Sequence, residues 1–215
     1  MDNSGFPALP PNLRESYPEL ENARAVWDKR TGQLENVRGL LTEPSGDSPE
    51  RIAERLVDRY SPLLGKGEGS VLDDLALAHV TEGPAGYTVR YRQHVGEIPV
   101  YGAQVSVHVT KNGQVYRVSS SYRPGAARVN VSEALEGGIP ATNARQIAVG
   151  EVKGENRLRR TPEAELAIYP LGEADYPAWQ VSVALETPAQ AWIVFVDGRT
   201  GRVLDKVPTL VRRAE

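Results

Sequence analysis

The chain has 215 residues, 40% hydrophobic and 25% charged, with a formal net charge of −3; such a composition suits one or two domains with hydrophobic cores and excludes a disordered polymer. It contains no cysteine, which excludes disulfides and thiolate metal sites, and its Lys and Arg residues are dispersed, so no basic run marks a nucleic-acid binder. No apolar run reaches the ~20 residues of a membrane span, and the first twenty residues, with Pro7, Pro10, Pro11 and Pro18, lack the basic and apolar regions of a signal peptide.

Residues 1–47 read as a lead-in carrying a hairpin, VWDKRTGQLENV (26–37). Ser48-Pro49-Glu50 then opens a helix with a hydroxyl cap, a proline in the first turn and an acid near the positive helix end. Ile52, Leu56, Val57 and Tyr60 recur at helical spacing, and Ser61-Pro62 ends or bends the helix. Strands are predicted at about 74–81, 86–93, 98–109 and 114–122. In the third, Val105, Val107 and Val109 alternate with polar residues, and Asn112-Gly113 turns the chain into the fourth.

After the connection RPGAARVNVSEALEGGIP, the order repeats. Thr142 is the expected cap of a short helix carrying Ala144, Ile147 and Ala148. Strands follow at about 164–169, 178–185, 191–197 and 202–207, the last pair joined by Gly198-Arg199-Thr200-Gly201. The fold class is therefore α+β: a helix on a roughly four-stranded antiparallel sheet, twice, over 48–128 and 129–215. Each sheet buries one face on its helix and leaves the other to solvent or a partner.

Motifs of catalysis are scarce. His79, His94 and His108 are far apart in sequence, and there is no H-E-x-x-H, G-x-S-x-G or phosphate-cradling glycine loop. Asp73 and Asp74 could in principle do acid–base work, but as strand neighbours they point to opposite faces and read as solvated surface acids. Trp27, Trp179 and Trp192 read as core aromatics, with a ligand-stacking platform as the weaker alternative.

The phrase RQHVGEIPVYGAQVSVHVTKNGQVYRVSSSY (92–122) resembles the core of the fungalysin/thermolysin propeptide domain through Gln93, Ile98, Pro99, Val100, Tyr101, Gly102 and the His-containing Val107-His108-Val109, with Gly113 in the following turn. It departs from the family's pattern in placing Gly96-Glu97, not Asn-Gly, before Ile98. PAWQVSVALETPAQAWIVFVDGRTGRVLDKV (177–207) resembles a PepSY domain through Trp192, Asp197 and Gly201, and AVWDKRTGQLENVRGLL (25–41) resembles the lead-in of such prosegments.

The resemblance implies two cystatin-like units forming the prosegment of a secreted or envelope-located zinc metallopeptidase of the thermolysin or fungalysin type. It implies a non-catalytic chain without a cofactor of its own, which inhibits a catalytic domain and assists its folding, in cis or in trans. Zinc, with calcium as a further metal, is expected in that partner. The chain ends close to where a mature peptidase would begin, and its tail, Lys206, Pro208, Thr209, Leu210 and Val211, is the expected partner-binding segment, a frayed terminus being the alternative. Arg212-Arg213 reads as a solvated basic end, with a processing site as the weaker alternative. The rival readings are a free-standing envelope protein that binds another partner with the same domains, and a small hydrolase.

Overall fold

A computed structural model describes residues 11–186 and 189–209. The elements in chain order are α1 (Pro11–Ser16), β1 (Arg24–Trp27), β2 (Leu34–Arg38), α2 (Pro49–Arg59), β3 (Leu75–Gly83), β4 (Gly86–Val95), β5 (Ile98–Thr110), β6 (Val115–Ser120), α3 (Val131–Ala134), α4 (Ala141–Val152), β7 (Glu163–Leu171), β8 (Ala174–Leu185), β9 (Gln190–Asp197) and β10 (Val203–Thr209). The chain divides into two compact units, residues 1–94 with 102–124, and residues 95–101 with 125–215.

In the first unit the strand order is β1-β2-β6-β5-β4-β3, with antiparallel pairing between β1 and β2, β2 and β6, β6 and β5, and β4 and β3. The sheet is thus larger than the predicted four strands, because the lead-in hairpin joins it through β2 and β6, aligning Val37 with Val118 and Val118 with Val107. α2 starts as its sequence dictates: Ser48 is extended, its Oγ accepts the Arg51 N–H, and Pro49 occupies the first turn. The helix ends at Arg59 with Tyr60 as its C-cap. Ile52, Ala53, Leu56 and Val57 are buried among Val37, Val105, Val107 and Val109. Burying each large aliphatic side chain is worth roughly 1.5–3 kcal/mol, and Leu56→Ala would leave a cavity costing about 2–5 kcal/mol.

Two local readings are corrected here. Asp73 and Asp74 are not strand neighbours, for they close a short 3-10 turn, Val71–Asp74, capped by Ser70. Asp74 instead ties the Lys66 ammonium and the Tyr122 hydroxyl together; burial, then the Asp74 hydrogen bond, push the Tyr122 pKa far up, so it remains a donor.

In the second unit β7-β8-β9-β10 form an antiparallel meander, and the first residues of β5 add to β7 in parallel, Val100 opposite Ile168. α4 presents Ala144 and Ala148 to Val181, Val183, Leu185, Val194 and Val196. Thr142 does not cap it. Pro140 is the N-cap, and Thr142 lies inside the helix. Trp179 packs on this core and donates its indole N–H to the Ile139 carbonyl at 2.9 Å; Trp27 packs on the core of the first unit, and the half-exposed Trp192 packs on that of the second.

Each unit contains one six-residue turn of the same construction. In β1–β2 Asp28 Oδ1 accepts the N–H groups of Arg30 and Thr31, and Gly32 adopts φ +72°. In β9–β10 Asp197 Oδ1 accepts those of Arg199 and Thr200 and the Thr200 hydroxyl, and Gly201 adopts φ +75°. The carboxylate gathers the inward N–H groups while glycine takes the left-handed position.

Candidate partner-docking site

β4 turns Val89, Tyr91 and Gln93 toward the core of the first unit. A glutamine at 0% exposure must have its amide satisfied. Gln93 does so against one residue: Nε2 donates to the Arg123 carbonyl and Oε1 accepts the Arg123 N–H, both at 2.8 Å. The side chain thereby supplies a strand-like pair of bonds to backbone just beyond β6.

β4 and β5 are joined by the two-residue turn Gly96-Glu97, with Gly96 at φ +60°. A glycine in the first central position suits such a hairpin, so the departure from Asn-Gly keeps a tight turn. β5 carries Ile98 half-buried, Pro99 exposed and Val100 buried; after Gly102, Ala103, Val105, Val107 and Val109 are buried on the core side and Ser106 on the other face. Burial thus falls on an even position, Val100, before Gly102 and mainly on odd ones after it, and Gly102 itself adopts the left-handed φ of +73°. Ser121 fastens the backbone on either side of Ala103: its Oγ donates to the Gly102 carbonyl at 2.7 Å and accepts the Gln104 N–H at 3.0 Å.

His108 stands on the sheet face opposite the valines. Its Nδ1 lies 3.1 Å from the Thr88 hydroxyl and its ring 5.7 Å from that of Tyr116. Burial first, then the Arg117, Arg90 and Arg38 charges, hold its pKa below the usual histidine value.

A family model described as the Fungalysin/Thermolysin Propeptide Motif matches residues 73–122. The chain carries a fungalysin/thermolysin propeptide motif. All the elements just described, from the Gln93 clasp to the His108 strand, belong to that motif or abut it.

The match extends beyond the propeptide motif among curated relatives. Thermolysin of Alicyclobacillus acidocaldarius subsp. acidocaldarius is 30% identical over 189 residues, covering 84% of this chain and 34% of the relative. Bacillolysin of Brevibacillus brevis is 25% identical over 203 residues, covering 89% and 37%. The chain thus spans about a third of the length of these relatives. Among solved structures, the YpeB C-terminal domain of Bacillus megaterium aligns with a TM-score of 0.39 at 10% identity, over 93% of this chain and 95% of that one.

Outside the propeptide motif, Lys206, Pro208 and Thr209 lie in β10, opposite Val194, Trp192 and Ala191 of β9. β10 ends the strand order of its unit, a position that tolerates a proline without an N–H. Lys206 pairs with Glu151 of α4 at 2.8 Å. Leu210, Val211, Arg212 and Arg213 lie outside the described residues. On the sheet face away from α4, Tyr169 stacks on Phe195 at 4.0 Å, and Tyr101 meets Phe195 edge-on at 4.5 Å. Tyr169 donates its hydroxyl to the Asp205 carboxylate; burial, then that bond, raise its pKa.

His79 lies on β3, His94 at the end of β4 and His108 on β5, and among the described residues no group of three His, Asp or Glu side chains could hold a metal ion. The arginines around His108 are not apparent from any one segment of the sequence. Arg38, Arg90 and Arg117 are distant along the chain, and strand register brings them onto one face. The signal was their place on the polar side of each alternation.

Proposed function

We propose that this chain is the propeptide of a secreted thermolysin-like zinc metallopeptidase, and that it inhibits the catalytic domain and assists its folding. The observation that carries the reading is the propeptide motif at residues 73–122, set within an alignment that takes in 84% of this chain but only 34% of a thermolysin. A segment of that size has the proportions of a prosegment beside a larger catalytic domain. The chain itself is non-catalytic in this reading. The reactive metal and its general base belong to the partner.

Two cystatin-like α+β units, the second of PepSY type, provide the scaffold in this reading. A β-rich surface is suited to the task because each sheet face is a broad, rigid platform of the order of the ~800 Å² per partner found in stable complexes. β10 is an edge strand whose outer N–H and C=O groups suit strand addition against the rim of a cleft. Folding assistance then acts on the rate of reaching the native catalytic domain rather than on its final stability.

The experiment is refolding of the denatured cognate catalytic domain with and without this chain, followed by peptide hydrolysis after removal of the chain. A higher yield of active enzyme supports the folding role. An unchanged yield with full inhibition by the chain would leave a plain inhibitor, and neither effect would remove the propeptide reading.

A further inference from the structure

The outer face of the first unit's sheet concentrates positive charge that the chain's net charge of −3 conceals. Register aligns Arg24 with Arg38, Arg38 with Arg117 and Arg117 with His108, a row across β1, β2, β6 and β5. Val37, Val118 and Val107, their chain neighbours, point into the core, so the row faces outward. Beside it, Arg90 of β4 bonds Ser106 and stands opposite His79 of β3. The strands of this unit contain two acids, Glu35 and Glu82, and Glu82 is engaged by Lys111.

Side chains directly opposite in neighbouring strands sit ~5 Å apart, where like charges destabilise the sheet. Yet Arg24, Arg38, Arg90 and Arg117 form no ion pair among the described residues, and Arg117 Nε is buried without a hydrogen-bond partner. Solvent and salt screen part of this repulsion, and an outside counter-charge would relieve the rest. Six strands ~4.8 Å apart and about seven residues deep give roughly 650 Å², close to the ~800 Å² of a stable interface.

Resting on the propeptide reading for the partner's identity, we propose that this arginine-lined face docks an acidic surface of the peptidase catalytic domain. Carboxylates there meet guanidinium groups already fixed by the sheet, which favours Arg over a flexible Lys. The contact steers association and weakens with salt.

Two arms test this with the full chain. In the first, labelled poly-L-glutamate is titrated by anisotropy at low salt. The wild-type chain should bind, and a variant combining Arg38→Gln, Arg90→Gln and Arg117→Gln should bind at least tenfold more weakly, while Arg157→Gln, Arg159→Gln and Arg160→Gln together should leave binding unchanged. Circular dichroism checks folding, and the milder pair Arg24→Gln and Arg38→Gln serves if the triple variant misfolds. Equal binding by wild type and face variant overturns the inference, as does tighter binding to duplex DNA or phosphatidylserine vesicles than to poly-L-glutamate. In the second arm, the same variants are compared as inhibitors of the cognate catalytic domain. A tenfold weaker, salt-sensitive inhibition by the face variant supports the inference, and equal inhibition overturns it while leaving the propeptide reading intact. No inhibition by the wild-type chain overturns that reading and the partner's identity with it, separately from the first arm.

Discussion

Gln93 and Arg123 exchange two hydrogen bonds, side-chain amide to backbone amide, each 2.8 Å long, with the glutamine fully buried. This pairing fastens the chain leaving β6 to the inner face of β4. Gln93→Leu keeps the volume and removes both bonds. At about 0.5–1.5 kcal/mol for each hydrogen bond lost, the expected loss is about 1–3 kcal/mol. Urea denaturation checks it; a midpoint within error of wild type would show the clasp to be incidental.

Gly102 and Gly113 both occupy the left-handed region, yet their substitutions should differ. A Cβ at Gly102 meets nothing within 4 Å, so Gly102→Ala bears only the conformational cost of φ +73°, about 1–2 kcal/mol. A Cβ at Gly113 would lie 1.9 Å from the Ser45 carbonyl oxygen. Gly113→Ala must displace that backbone and should lower the melting temperature well beyond Gly102→Ala. Equal shifts would contradict the close approach.

Much of this was legible in the sequence, and the omissions have physical causes. Val105, Val107 and Val109 announce β5, and Ser48-Pro49-Glu50 announces α2, because period and capping are local properties. The parity switch at Gly102 is invisible locally, since an exposed glycine is silent in a hydrophobic pattern. Thr142 misled because a hydroxyl near a helix start is a good cap by type, while Pro140 had already set the entry angle. The Gly172-Glu173 turn, with Gly172 at φ +61°, was passed over because β7 and β8 extend beyond their apolar residues. Gln93 is a polar residue at 0% exposure, and only its distant partner explains why. The arginine row emerges from register, which no single strand encodes.

Acid should weaken the fold through His108. Its folded pKa lies below the unfolded value of about 6.5 because burial and the facing Arg117, Arg90 and Arg38 disfavour the imidazolium. The unfolded state then binds more protons between those two values. Stability is full above about pH 6.5 and falls as pH drops from there toward the folded pKa. His108→Gln should remove this component, narrowing the difference between urea midpoints at pH 7.5 and pH 5. An unchanged difference would show that His108 is not the group responsible.

The β1–β2 turn gives a second, more acidic signature. The Thr31 and Arg30 N–H groups hold the Asp28 carboxyl below its ordinary range. Its contribution is present above the unfolded carboxyl pKa and is lost as pH falls through the folded one. Asp28→Asn keeps an oxygen acceptor for the turn and should flatten that acid limb, while Asp28→Ala should weaken the hairpin at neutral pH as well. NMR titration of the Asp28 carboxyl gives the direction independently.

The central claim is that this chain docks on a thermolysin-like catalytic domain and silences it. Its most direct measurement is the rate of peptide hydrolysis by the cognate mature peptidase, titrated with the purified chain. The account predicts a saturable fall to near-zero activity at micromolar or lower concentration, weakened by salt. Undiminished hydrolysis at micromolar excess of the chain would contradict it.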